Sequence, residues 1–348
     1  MTSTKRLFEY KCGVEAELLY RYKPGGYHPV HLGDVFAGGR YKVLHKLGHG
    51  AFSTTWIARD SKLSINVALK VKVASASSSG NRERLVFQFL SRSGSGSQSG
   101  QIHIMQSLDE FRHNGPNGAH DCLIFELLDS GVASVVERRP IENRLPGHSA
   151  KKACKELCLA LEALHEQGIG HGGNLAFAVP QLRHLPEDEL FEKYGHPRTG
   201  AVSRADGSPI ESGVPEYLVW PARFPMRDLA LEELSIKLID FGESFFPHDK
   251  PKTLHTPIAV RAPEILFEDE YDLRADLWTL GCTVGRQGII ISRLLFSFTT
   301  QMFELVVGYP PCSGIMAKKE DILQQIADLI GEPPERWQPR WKAMSKWG

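Results

Sequence analysis

The stretch Ile236-Lys237-Leu238-Ile239-Asp240-Phe241-Gly242 decides the reading of this chain: an apolar strand delivers an acidic residue, an aromatic ring and a glycine in succession. Alone it is weak evidence. Arg261-Ala262-Pro263-Glu264 follows it, and Asp276-Leu277-Trp278-Thr279-Leu280-Gly281 comes next. Upstream, Tyr41 to Leu47 alternates like a strand, runs into Gly48-His49-Gly50-Ala51-Phe52-Ser53 and returns as Thr54-Thr55-Trp56-Ile57-Ala58. Val67-Ala68-Leu69-Lys70 lies one hairpin further on, and Cys122-Leu123-Ile124-Phe125-Glu126-Leu127-Leu128 reads as a buried strand.

Taken in this order, the pieces resemble the motifs of protein kinases. A lone Gly-x-Gly is usually only a turn; the lysine one hairpin later is what gives it weight. The resemblance implies ATP and Mg2+ as cofactors. Backbone N–H groups at Gly48 and Gly50 would approach the triphosphate without a Cβ in the way, with Ser53 in place of a third glycine. Leu47, His49, Ala51, Phe52, Thr55 and Ala68 would complete the nucleotide wall, and Lys70 would meet the α- and β-phosphates. Glu83 is the candidate to hold that lysine; with Arg82 and Arg84 beside it, a solvated charge on a helix face is the alternative. Phe125 would gate the back pocket, and the backbone around Glu126 and Leu128 would meet the adenine edge. Asp240 would hold the metal.

The resemblance implies a two-lobed α+β fold, an antiparallel small lobe and a mainly helical large one, and length and composition agree with one such domain. In 348 residues, 42% are hydrophobic and 24% charged, which allows a sizeable core. Lysine plus arginine equals aspartate plus glutamate at 41 each, so no global charge draws the chain to nucleic acid or an anionic membrane. Neither zinc spacing nor a compact disulfide framework is visible in the cysteines at 12, 122, 154, 158, 282 and 312. Cys154 and Cys158 read as packing residues. No apolar run reaches the ~20 residues of a membrane span, and a monomer is expected. The division is an N-terminal extension over 1–40, a small lobe over 41–128 and a large lobe over 129–348. Within the last, Ser149 to Gln167 has helical spacing that Gly168 stops.

More specifically, the chain resembles the SR-protein kinase family in its fungal form. Tyr22-Lys23-Pro24-Gly25-Gly26-Tyr27-His28-Pro29-Val30-His31-Leu32-Gly33-Asp34, Lys46 to Asp60, and Asn114-Gly115-Pro116-Asn117-Gly118 carry the likeness, with residues 177–234 resembling the insertion ahead of Asp-Phe-Gly. That resemblance implies phosphorylation of serines in Arg/Ser-rich proteins such as splicing factors, with cytoplasmic and nuclear residence. The acidic run Glu268, Asp269, Glu270 and Asp272 suits arginine-rich peptides, a solvated face being the alternative.

Three departures from the family stand in the sequence. Gly170-His171-Gly172-Gly173-Asn174-Leu175 occupies the place of approximately His-Gly-Asp-Leu-His-Pro-Gly-Asn-Leu, so the catalytic aspartate is missing. His171 flanks the loop, and Asn174 would be the second metal ligand. Three Cα steps span at most about 11 Å, so the short loop is expected to seat either the histidine or the asparagine. Residues 284–301 form an insertion, readable as a retained intron or as an extra helix or loop. The chain stops soon after Asp321 to Ile330, which resembles helix G, so the arginine that would neutralise Glu264 is not found. A kinase is the main reading; a catalytically impaired pseudokinase or nucleotide-binding scaffold, and an imperfect gene model of an active enzyme, are the alternatives.

Overall fold

A computed structural model describes residues 9–77, 82–93, 98–131, 147–172, 174–222, 235–252, 254, 258, 261–279, 312 and 318–344. The expected insertion at 284–301 lies outside them. Elements used below are β1 (Val35–Phe36), β2 (Tyr41–Gly50), β3 (Ser53–Asp60), β4 (Ile65–Lys72), α1 (Arg82–Ser93), β5 (Ser107–Gly115), β6 (Gly118–Glu126), α2 (Gly147–His165), β7 (Asn174–Ala178), β8 (Thr199–Ala201), β9 (Tyr217–Val219), β10 (Ile236–Ile239), α3 (Pro263–Leu266), α4 (Arg274–Thr279), α5 (Lys319–Ile330) and α6 (Gln338–Met344). Two compact units emerge, one of Met1–Asn81, Met105–Ser130 and Phe177–Asp228, the other of Arg82–Ile104, Gly131–Ala176 and Leu229–Gly348.

The first unit is built on a six-stranded sheet in the order β1-β2-β3-β4-β6-β5, whose pairs from β1 to β6 are antiparallel. β3 and β4 run in unbroken register from Ser53↔Lys72 to Asp60↔Ile65, while β2 shifts register at Val43/His45 and again at Lys46/Gly48. These irregularities explain why Val43, Leu44, His45 and Lys46 are all buried although a strand normally alternates its faces. Trp56, Val67, Leu69, Val71, Cys122 and Ile124 form the core of the sheet together with Val219, which comes from β9.

Residues 177–222 thus fold with the sheet, whereas the sequence division places 177–234 in the large lobe. The physical reason is long-range burial and bonding. Val202, Val214 and Leu218 share a core with Val14, Tyr22, Tyr27 and Val73. Asn66 Nδ2 donates to the carbonyls of Leu182 and Leu185, each at 2.9 Å, and Leu32 N donates to Tyr217 Oη at 2.9 Å.

A histidine cluster fills one part of this unit. The His28 ring lies 4.6 Å from His113 and 5.0 Å from His120, and a Cβ on Gly115 would stand 2.2 Å from His28 Nδ1, so only glycine admits the ring there. His120 Nδ1 lies 2.8 Å from the Lys72 carbonyl. Burial, reinforced by His113 and His120, pushes His28 down to about 3, and burial also lowers His120. Both rings are neutral in the fold but protonate near 6.5 once unfolded, so stability is retained above that pH and falls as pH drops below it. His28 should subtract about 1.4 kcal/mol per pH unit over that window, and His120 acts in the same direction. Stability measured by urea denaturation should therefore fall steeply from pH 7 to 5, and His28→Gln should flatten the slope by about one proton's worth; an unaltered slope would refute the assignment.

In the second unit α2 buries Ala150, Ala153, Leu157, Ala160, Leu161 and Leu164, one helical face. Gly168, at φ +70°, turns the chain as Ile169 N bonds back to the Leu164 carbonyl. Cys154 is half-buried and Cys158 exposed; burial pushes the Cys154 thiol up to about 12, so it stays protonated at neutral pH. A second core joins Phe245, Leu266, Phe267, Ala275 and Trp278 to Ile322, Leu323, Ile326 and Trp337.

Around that core Glu268, Asp269 and Asp272 of the acidic run have partners within the chain, while Glu268 keeps 78% of its side chain exposed. Lys319 Nζ lies 2.7 Å from Glu268, Trp337 Nε1 donates to Asp269 Oδ2 at 2.7 Å, Arg336 stands 3.5 Å from Asp269, and Arg274 pairs with Asp272 at 2.7 Å. Lys319 and Arg336 offset part of the negative charge that the sequence leaves bare. Glu264 has no ion pair among the described residues, and burial raises its carboxyl pKa.

Candidate functional site

Each unit carries candidate residues of its own. In the first, β2 and β3 close through Gly50↔Ser53. A Cβ at Gly48 or Gly50 would meet nothing within 4 Å, and neither residue has positive φ. Neither protein packing nor backbone conformation therefore requires these glycines; they leave a cradle that side chains would fill, which suits close approach by phosphate oxygens. Leu47, Gly48, His49, Gly50, Ala51, Phe52 and Ser53 form the strand end and turn, with Phe52 exposed and Ser53 buried. Lys70 sits mid-strand in β4, opposite Thr55 on one side and Leu123 on the other, and Ala68 is opposite Phe125. Phe125 and Leu128 are buried, and Glu126 Oε1 accepts from Gln106 N at 2.8 Å.

In the second unit Glu83 stands in the first turn of α1 and is fully buried. This excludes the solvated-face alternative, because a carboxylate out of water is stable only when its charge is met. The same helix holds the Asp-Phe-Gly segment: Phe87 lies 4.8 Å from Phe241, and Arg82 donates to the Asp249 carbonyl at 2.7 Å.

The catalytic-loop remnant is held by one carboxylate. Asp276, buried at the start of α4, accepts from His171 N at 2.7 Å through Oδ2 and from Gly172 N at 2.6 Å through Oδ1, with His165 Nε2 at 3.0 Å. Gly170 pairs with Phe245 through two backbone bonds of 2.8 and 2.9 Å. The His171 ring packs edge-on against Phe241 at 4.6 Å, and its Nε2 is buried with no hydrogen-bond partner among the described residues. Burial lowers its pKa against the pull of Asp276 and Asp240, so the ring packs as a neutral wedge.

β7 and β10 are neighbours in their sheet, which brings Asn174, at the head of β7, to Asp240, just past β10. Asn174 Nδ2 stands 3.5 Å from Asp240 Oδ2, and both residues are exposed. The loop thus seats both the histidine and the asparagine, where chain length alone suggested one. Asp240 holds φ 61°, ψ 72°, a left-handed conformation that costs a non-glycine residue about 1–2 kcal/mol. With its amide turned over, Asn174 offers an oxygen beside the carboxylate, so the pair fits a hard cation that takes its remaining ligands from phosphate and water. Gly173 lies outside the described residues. Sequence reading missed the loop-anchoring role of Asp276; its place two residues before the buried Trp278 was the available signal.

Two lobes of this make, with a glycine turn and strand lysine in one and an anchored loop beside Asp-Phe-Gly in the other, define a protein kinase fold. A crystal structure of the PF14_0431 kinase domain matches at a TM-score of 0.61, covering 92% of this chain and 80% of its own at 19% identity. Protein kinase dsk1 of Schizosaccharomyces pombe is 40% identical over 90% of this chain and 70% of its own length. The serine/threonine-protein kinase SRPK of Physarum polycephalum is 26% identical over 90% and 72%, and human SRSF protein kinase 3 is 35% identical over 41% and 25%. No family model matches the chain. The chain belongs to the SR-protein kinase family of serine/threonine kinases.

Proposed function

We propose that the chain binds ATP with Mg2+ and directs phosphoryl transfer to serines of Arg/Ser-rich proteins such as splicing factors, acting as a monomer in cytoplasm and nucleus. Membership of a kinase family carries ATP and magnesium in general; the residue assignments rest on the site geometry. The observation that carries them is the loop tied to Asp276, which sets Asn174 beside a left-handed Asp240. When bound, the cation would offset negative charge on the phosphates. Asn174 and Asp240 would hold it, Gly48 and Gly50 would present backbone N–H groups, and Lys70 would neutralise phosphate oxygens, with Glu83 setting the lysine. Phe125 would close the back wall, and the backbone at Glu126 and Leu128 would take the adenine edge.

Lys70→Ala removes a charge-assisted contact of about 1.5–3 kcal/mol, so the Kd for Mg·ATP should rise about ten- to a hundredfold. Isothermal calorimetry on both proteins tests this, and equal affinities would remove the lysine from the site.

A further inference from the structure

The turn at 48–53 combines two glycines without packing partners with a hairpin tip whose Phe52 is exposed, a segment that would sample many conformations on its own. Yet it is tied from outside its own hairpin. Tyr27 Oη donates to the Gly50 carbonyl at 2.7 Å. On the far side of the turn, the Phe52 carbonyl accepts from Val73 N at 2.9 Å.

Just before the turn, Lys46 is held by its side chain and by its backbone. Its ammonium pairs with Glu17, both side chains being fully buried, and lies 5.2 Å from the centre of the Trp56 ring. Its carbonyl accepts from Ala222 N at 2.7 Å. Glu17 also accepts from Tyr22 Oη, so its two oxygens are both engaged.

Tyr27 is itself immobilised. Its carbonyl accepts from Asn117 Nδ2 at 2.7 Å, its N–H reaches the Arg21 carbonyl at 3.1 Å, and its ring lies 5.4 Å from Tyr22 and 4.8 Å from the Arg21 guanidinium. Burial raises the phenol pKa, so the hydroxyl remains a donor.

We propose that Tyr27 and Glu17 are positioning residues for nucleotide binding: the N-terminal segment, with residue 222 of the insertion, forms a collar that holds the glycine turn in its phosphate-accepting shape before ligand arrives. This rests on the assignment of the turn to ATP. A turn ordered in advance does not lose that freedom on binding, which strengthens affinity without any contact between Tyr27 and the nucleotide.

Tyr27→Phe deletes one hydroxyl and keeps the ring. Calorimetric Kd for Mg·ATP should rise about three- to tenfold, the worth of one neutral hydrogen bond. Amide exchange at residues 48–53 of the ligand-free chain should quicken, with exchange in β4 and β6 unchanged. A merely structural tyrosine would instead speed exchange throughout the sheet. The double variant Glu17→Gln/Lys46→Met removes both buried charges at similar volume and should loosen the turn in the same local way. Unchanged turn exchange in both variants overturns the proposal, as does acceleration spread over the whole sheet. If the wild-type chain binds no nucleotide, the ATP assignment falls, and the exchange rates alone decide whether the collar restrains the turn.

Discussion

A chain with Asp-Leu-His-Pro restored between Gly172 and Gly173, and residues 284–301 removed, is expected to phosphorylate an Arg/Ser-rich peptide about 10²–10⁴ times faster than the native chain, the usual contribution of a positioned general base. Everything around the gap is in place: Asp276 fixes the backbone at His171 and Gly172, and Asn174 stands by Asp240. No residue of 170–175 can accept the proton of an attacking serine, since His171 is buried and packed on Phe241. On the proposed assignment, positioning and charge neutralisation would survive while proton removal would not. Steady-state kinetics with both chains, and Asp240→Asn as the control, measure the difference. A native chain already turning over at the 1–100 s⁻¹ typical of kinases, with that signal lost in Asp240→Asn, would mean that another carboxylate serves as base.

Asp276→Ala should destabilise the second unit by about 3–5 kcal/mol, because it strands the N–H groups of His171 and Gly172 and deprives His165 of its acceptor in a buried setting. Asp276→Asn keeps one acceptor oxygen and should lose about half as much. Urea unfolding followed by tryptophan fluorescence reports it through Trp278, two residues away. A loss below about 1 kcal/mol for the alanine variant would show that the loop is held by the Gly170–Phe245 bridge instead.

Local patterns explain which parts were legible in sequence. Tyr41 to Ala58 alternates and breaks at glycines, and the observed β2 and β3 follow it; the spacing from Ser149 to Gln167 and the stop at Gly168 match α2 to within two residues at each end. Glu83 was read with an alternative open because flanking arginines mimic a solvated face, and only its burial decides between them. What escaped depends on contacts between distant residues, which leave no period behind. The allegiance of 177–222 rests on pairs such as Leu32 with Tyr217, 185 residues apart. The pairing of Glu268 and Asp269 depends on Lys319, Arg336 and Trp337 lying against them. Tyr27 sits in a motif that marks the family, but nothing local assigns its hydroxyl to the Gly50 carbonyl.

Burial of Val219 in the core of the sheet sets an order on biosynthesis. The last strand of that sheet ends at Glu126, yet its core is incomplete until the ribosome has delivered residue 219, and the Lys46 carbonyl waits for Ala222. At the usual 5–20 residues per second, that interval lasts about 5–20 s. During it the nascent small lobe exposes the apolar side chains that Val219 will cover, a surface on which chaperones act, and contacts of such long sequence separation are slow to close even when all their parts have emerged.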